Sequence, residues 1–380
     1  MISTHKQKTS IVNNVEYNFY FRSEVNMAQI QTVLGNLNAD DMGLTLPHEH
    51  ITVDAATTYL KEPEDPEMKS LFHEPIKMQN LGIIRRNPNF SRDNFLLNDV
   101  NQLIDELTQF KKLGGETMVS LTCIGLKRDP LVLKKISQST GVNIITSTGW
   151  YIQSSHPEYV NKLGINDLAE ILVTDLTQGI ENTNIKAGVI GEIGTSEPVP
   201  YHPDEEKTMR AACRANKQTG FGYTFHPSPS NSSTQVNIFI GDKLVDIIEE
   251  EDADINKFWM SHADQIAHTI DDLKSILDRN VTISFDMFGL EYYYDCEWIG
   301  LRNKTDAERI DMVVELCQQG YDKQLMLSQD VFSKLQTKKY GGYGFTHIIE
   351  NIIPQLKIKG VTDKQIQNML IQNPKRILAK

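Results

Sequence analysis

Past residue 30, short apolar runs alternate with stretches whose apolar positions recur at helical spacing. The run Gly43-Leu-Thr-Leu-Pro-His-Glu-His-Ile-Thr-Val53 reads as a first strand. Across 98–113, Val100, Leu103, Ile104, Leu107 and Phe110 follow the i, i+3, i+4, i+7 rule of an amphipathic helix, and Gly114-Gly115 ends it. The alternation then repeats. Strands are predicted at 116–122, 142–148, 187–192, 222–226, 257–262, 281–286 and 324–328. Helices are predicted over 130–140, 167–178, 204–218, 243–250 and 268–278, with Asn166 as a cap and Gly179 and Gly220 as stops. Thr305 with Glu308, and Thr362 with Gln365, have the spacing of capping boxes for two further helices.

Eight short β-rich runs, most followed by a helix, predict a parallel sheet, and eight such units close naturally into a barrel. An open doubly wound sheet is the rival, but no Gly-rich phosphate loop follows the first strand. The expected fold is therefore α/β: a single-domain (β/α)8 TIM barrel over 28–380, after a polar extension, 1–27, read as disordered. Residues 54–95 hold Pro63, Pro66, Pro75 and Pro88 without clear periodicity and read as a long excursion after strand one. Residues 287–304, rich in Tyr and Trp, read as a second. Barrel enzymes build their active sites from such loops.

Charge and composition narrow the partners. The formal charge of −12 argues against nucleic acid, which requires a basic field. No run approaches the ~18 apolar residues of a membrane span, and 1–27 contain no apolar signal core. The expectation is a cytoplasmic protein acting on a small molecule, with a homo-oligomer left open. Cys123, Cys213, Cys296 and Cys317 form no CxxC pair, so free buried thiols are expected rather than a disulfide framework.

The candidate chemistry lies at strand ends. His48 and His50, at i and i+2 on a strand, share a face, so both imidazoles can enter the barrel mouth while Glu49 faces outward. Two neutral imidazoles make half a site for a divalent metal. Glu192 ends the fourth predicted strand, His226 the fifth and His262 the sixth; Asp330 follows the eighth. Taken singly, each has a plainer explanation: a hydrogen-bonded rim histidine, a carboxylate paired with a base, a helix cap. Together they fall at the C-terminal strand ends, which converge on one mouth. Asp286, after strand seven, stays outside this ligand set.

These residues carry a family resemblance. Gly43-Leu-Thr-Leu-Pro-His-Glu-His50 resembles the first-strand motif of the phosphotriesterase-like branch of the amidohydrolase superfamily. Gly188-Val-Ile-Gly-Glu-Ile-Gly194, Phe225-His-Pro227, Met260-Ser-His262, Phe285-Asp-Met-Phe-Gly289, Gln329-Asp330 and Tyr340-Gly-Gly-Tyr-Gly-Phe-Thr-His347 resemble its phosphotriesterase-related proteins, from about Gln29 to the C-terminus, Asn373-Pro374 included.

The resemblance implies two divalent cations, zinc being the first candidate. His48, His50 and Asp330 would hold one, His226 and His262 the other, and Glu192 would bridge them. A hydroxide shared by the pair would hydrolyse an amide or ester, with Asp330 moving the proton. An N-acyl amino sulfonate such as an N-acyltaurine, a lactone or a phosphoester would be the substrate. Members that hydrolyse organophosphates use a carboxylated lysine as the bridge. Here that position is Glu192, and Lys186 lies at the wrong end of the strand, which weakens the case for phosphotriesters. Trp150, Tyr151 and 287–304 are candidates for an apolar wall, and Lys127, Arg128 and Arg302 for contacts to an anionic tail. The alternative is a barrel that binds metal or ligand without turnover.

Overall fold

The computed structural model describes residues 28–196, 201–227, 240–291 and 303–380. The expected extension 1–27, most of the 287–304 excursion, Arg302 and Cys296 lie outside them.

Eight strands form one parallel sheet: β1 (Leu44–Glu49), β2 (Gly115–Ser120), β3 (Asn143–Thr148), β4 (Val189–Gly194), β5 (Tyr223–His226), β6 (Phe258–Met260), β7 (Thr282–Phe285) and β8 (Leu325–Leu327). Each pairs with its sequence neighbour, in the order β1 to β8. Backbone bonds from His50 N to Val331 O and from Asp330 N to His48 O, both 3.2 Å, bring β8 back to β1. The predicted barrel is thus observed.

Helices follow the strands because their apolar stripes need cover. On Val100–Lys112, Leu103, Leu107 and Phe110 are buried in one continuous core with Leu46 and Met118 of the sheet. Asp99 caps that helix through Gln102 N. Both predicted capping boxes form, on Asp306–Gln318 and Asp363–Gln367. The Asn166 cap does not. The helix Ile165–Thr177 starts earlier, at Gly164, where Asp167 reaches back to the Gly164 N–H. Asn166 instead accepts from Arg214. Asp167 has the better reach because its carboxylate stands three residues into the helix, above the first free amides.

A hairpin absent from the predictions, Gln29–Thr32 with Gly35–Asn38, lies across the N-terminal strand ends. Val33 N bonds Ile144 O, and a Cβ on Gly188 would stand 2.2 Å from Gln31 O, so only glycine admits the hairpin there. Ile30 and Met42 from this region join Val119, Ile145, Val189, Trp259 and Met326 in a second apolar cluster, which closes that end. The opposite end is left for polar chemistry.

The 54–95 excursion is largely helical, with Pro66–His73 and Met78–Arg86, and a short antiparallel pair, Val53–Asp54 with Leu96–Leu97, gathers its two ends. Cys123, Cys213 and Cys317 are free and buried, as expected. No described helix is long and apolar enough to cross a membrane.

Candidate metal centre

The six predicted side chains meet at the C-terminal mouth. His48 Nε2 lies 3.1 Å from Glu192 Oε2 and 3.5 Å from Asp330 Oδ1; His50 Nε2 lies 3.2 Å from Glu192 Oε1 and 3.3 Å from Asp330 Oδ1. His262 Nε2 is 3.8 Å from Glu192 Oε2, and the His226 and His262 rings stand 4.6 Å apart, edge to face. Candidate ligand atoms of His48, His50 and Glu192 fall within 4.8 Å of one another, as do those of Glu192, His226 and His262.

Local structure differs from the sequence expectation at the strand ends. Glu192 does not end β4 but sits inside it, because the strand is shifted by two residues. The β4–β5 register breaks between Ile190 and Ile193. Gly191, at φ +127°, permits that break, since a Cβ there would stand 2.6 Å from Thr224 O. His262 (φ 54°) and Asp330 (φ 46°) are in the left-handed region, rare for non-glycine residues and costing about 1–3 kcal/mol each. Such strain persists where the surroundings fix a side chain's direction.

Hydrogen bonds then fix the imidazoles. The Thr122 hydroxyl donates to Thr52 O (2.9 Å), so it accepts from His50 Nδ1–H at 3.0 Å. Asp286 accepts from His48 Nδ1 (2.9 Å) and His262 Nδ1 (2.8 Å), and also from the His262 backbone N–H. Three rings thus carry their protons on Nδ1, and their Nε2 lone pairs point at carboxylate oxygens. Lone pairs facing lone pairs in a buried site repel; a cation between them reverses the sign. His226 differs: its Nε2 bonds the Tyr151 hydroxyl at 3.0 Å, leaving Nδ1 for the cluster. Consistently, His48 Nε2, His226 Nδ1, Glu192 Oε2 and Asp330 Oδ1 are buried without a hydrogen-bond partner. This donor set, imidazole nitrogen plus carboxylate oxygen, fits divalent transition metals.

Without a cation the carboxylates draw a proton to Nε2 instead: burial works against charge on His50, but Glu192 and Asp330 outweigh it and raise its pKa to about 9, so a metal would enter by displacing that proton. Burial would raise Glu192, yet His226, His48 and His50 hold it well below the usual carboxylate range. Burial likewise opposes ionisation of Asp286, and His262 and His48 overcome it. The carboxylates stay ionised and draw positive charge into the mouth.

Three sequence expectations need correction. Glu49 does face away from the imidazoles, but it does not reach outward into solvent: it is fully buried under the loop after β8. Trp150 is buried and donates to the Tyr159 hydroxyl rather than lining the cleft. Arg128 is no free anion receptor, because it pairs with Asp175 at 2.8 Å behind Thr148. Lys127 is exposed and pairs with Asp54. The cleft is lined by His50, Glu192, His226 and Asp330 with Val53, Leu126, Tyr151 and Phe332.

Sequence reasoning missed Thr122 and Glu205; Asp286, read as a supporting or structural residue outside the ligand set, supports His48 and His262. Asp286 and Thr122 carried the same signal as the ligands, a polar residue at a strand end. Glu205 carried none. Its buried carboxylate accepts from Gln153 N (2.8 Å) and Ser196 N (3.0 Å), joining the segments after β3 and β4.

Comparison with known proteins identifies the family. The model of the Phosphotriesterase family matches residues 28–378. The chain is 32% identical to an N-acetyltaurine hydrolase of Danio rerio over 92% of this chain and 97% of that one. It is 34% identical to a phosphotriesterase-related protein of Nematostella vectensis, over 91% and 97%. The crystal structure of a resiniferatoxin-binding protein from Rhodobacter sphaeroides superposes with a TM-score of 0.85 at 30% identity, covering 92% of this chain and 94% of that one. The fold, the cluster at its mouth and these likenesses together place the chain in the phosphotriesterase family, as a hydrolase.

Proposed function

We propose that this protein hydrolyses the amide bond of a small N-acylated amino sulfonate, using two divalent cations. His48, His50 and Asp330 would hold the first, His226 and His262 the second, with Glu192 shared between them; zinc is the candidate the imidazole–carboxylate set favours. The observation that carries this reading is the convergence of three Nε2 lone pairs on the oxygens of Glu192 and Asp330. The substrate class follows from the likeness to an N-acetyltaurine hydrolase over nearly the whole chain.

When bound, such a pair supplies Lewis acidity and a water acidic enough to be deprotonated near neutral pH. The protein's own groups do the rest. Asp330 lines the cleft and is only 5% exposed. Its carboxylate takes the proton of the attacking water and returns it to the departing nitrogen, without which an amine is a poor leaving group. Val53, Leu126 and Phe332 give the acyl chain an apolar wall and exclude bulk water. Thr122, Asp286 and Tyr151 keep the imidazoles aimed, so no reorganisation is needed during the reaction.

The test is a panel of N-acyltaurine, lactone and phosphotriester substrates with the metal-loaded protein, alongside elemental analysis. Two equivalents of metal and a preference for the amide are expected. A large preference for phosphotriesters would overturn the substrate assignment. The second reading, a barrel that binds without turnover, draws on the likeness to a protein named for resiniferatoxin binding. Stoichiometric metal with no cleavage of any substrate would favour it.

A further inference from the structure

The sheet's neighbouring strands are joined by parallel ladders from β1 round to β8, but no ladder joins β8 to β1 among the described residues. The seam carries two backbone bonds of 3.2 Å and one from His48 N to the Ser328 hydroxyl at 3.1 Å. Into it the chain inserts the side chain of Glu49. Oε1 accepts from the Ser328 hydroxyl (2.8 Å) and Gln329 N (2.9 Å), and Oε2 accepts from Val331 N (2.8 Å). Three donors from residues 328–331 thus close on one carboxylate that is fully buried. The Glu49 oxygens lie outside the candidate metal cluster, whose carboxylate members are Glu192 and Asp330. Between the anchored Gln329 and Val331 stands Asp330, at φ 46°. Gln336 holds its carbonyl from the other side (2.7 Å).

We propose that Glu49 is the positioning residue for Asp330. It replaces the missing ladder, grips the amides on both sides of Asp330, and holds that residue's left-handed backbone so that its carboxylate enters the mouth. β1 and the residue that follows it thereby contribute two imidazoles to the site and, through the residue between them, the placement of a third ligand from across the seam. The assignment rests on the two-metal reading given above.

Glu49→Gln keeps the size of the side chain but turns an NH2 toward one of the donors. With a folded protein, kcat is expected to fall by about 100-fold with KM changed less than about threefold, because the loss is in transition-state stabilisation rather than substrate binding. Affinity for the first metal equivalent falls about 10- to 100-fold while the second is retained. Ser328→Ala removes one of the three donors and is the milder variant should Glu49→Gln fail to fold. Its kcat falls about 3- to 10-fold with the second metal equivalent retained; because the same hydroxyl accepts from His48 N, two hydrogen bonds are lost and the unfolding midpoint drops modestly as well. Either variant with wild-type kcat and two full metal equivalents overturns the proposal. So does a parallel loss of both metals together with a lowered unfolding midpoint, the signature of general destabilisation. A wild-type protein that takes up no metal would instead sink the two-metal reading itself.

Discussion

Nε2 of His226 lies 3.0 Å from the Tyr151 hydroxyl, and this contact decides which nitrogen His226 offers to the mouth. A ring bonded through Nε2 presents Nδ1, the reverse of His48 and His262, which bond Asp286 through Nδ1. Replacing Tyr151 with Phe frees the His226 ring while keeping the aromatic wall. Affinity for the second metal equivalent is expected to drop about 10- to 100-fold, as for other partners of ligating histidines. Competitive chelation with a chromophoric dye measures it; unchanged two-site binding would contradict the role given to Tyr151.

Asp286 serves one imidazole of each proposed metal, so its effect should not be confined to one. Asp286→Asn keeps the shape, yet one of its two positions now offers N–H to an N–H. We expect both metal affinities to fall, by about 10-fold or more each. A loss restricted to one equivalent would show that the two imidazoles are not coupled through this carboxylate.

Removing the metals should also cost stability. His48 Nε2, His226 Nδ1, Glu192 Oε2 and Asp330 Oδ1 are buried without partners, so cation binding compensates them only in the folded state. At free metal a hundredfold above the dissociation constant, the folded state gains about 2.7 kcal/mol per independent site. Calorimetry with and without chelator should show the apo protein melting several degrees lower, and readdition should restore both midpoint and activity. Identical midpoints would argue against a metal at this cluster.

His156 offers a pH test away from the metals. It bonds Tyr151 O through Nε2 at 2.8 Å, and burial, only partly offset by Glu205 and Asp204, pushes its pKa down to about 4. Above pH 6.5 the ring is neutral folded or unfolded, so it contributes no pH dependence there. As pH falls below 6.5 the unfolded chain takes up the proton first, and stability is lost progressively down to about pH 4. Between pH 7 and 5 the loss is on the order of 2 kcal/mol. His156→Gln keeps a donor for Tyr151 O, so denaturant unfolding of this variant across that window should show a shallower slope. Parallel slopes for variant and wild type would refute the assignment.

Reading outward from particular residues shows where sequence suffices. His226 ends its strand where the apolar run 222–226 ends, because a strand stops where burial stops. The boxes at Thr305 and Thr362 are local chemistry, complete within four residues, and both form. Glu192 lies inside β4, which runs two residues further than its pattern, since the break at Gly191 is set by the Thr224 backbone on the next strand. Arg128 shows the limit: nothing near it in sequence announces Asp175, which lies on another helix.

Alternating apolar runs and helical stripes determined the barrel on their own, because periodicity and burial act over a few residues and repeat. The same logic put six ligand-type side chains at strand ends. Only the folded chain decided which nitrogen each imidazole presents, that Asp286 joins two of them, and that Glu49 closes the seam beside Asp330. Those outcomes depend on contacts between residues as much as 282 positions apart, where a single hydrogen bond fixes a direction that no local pattern encodes.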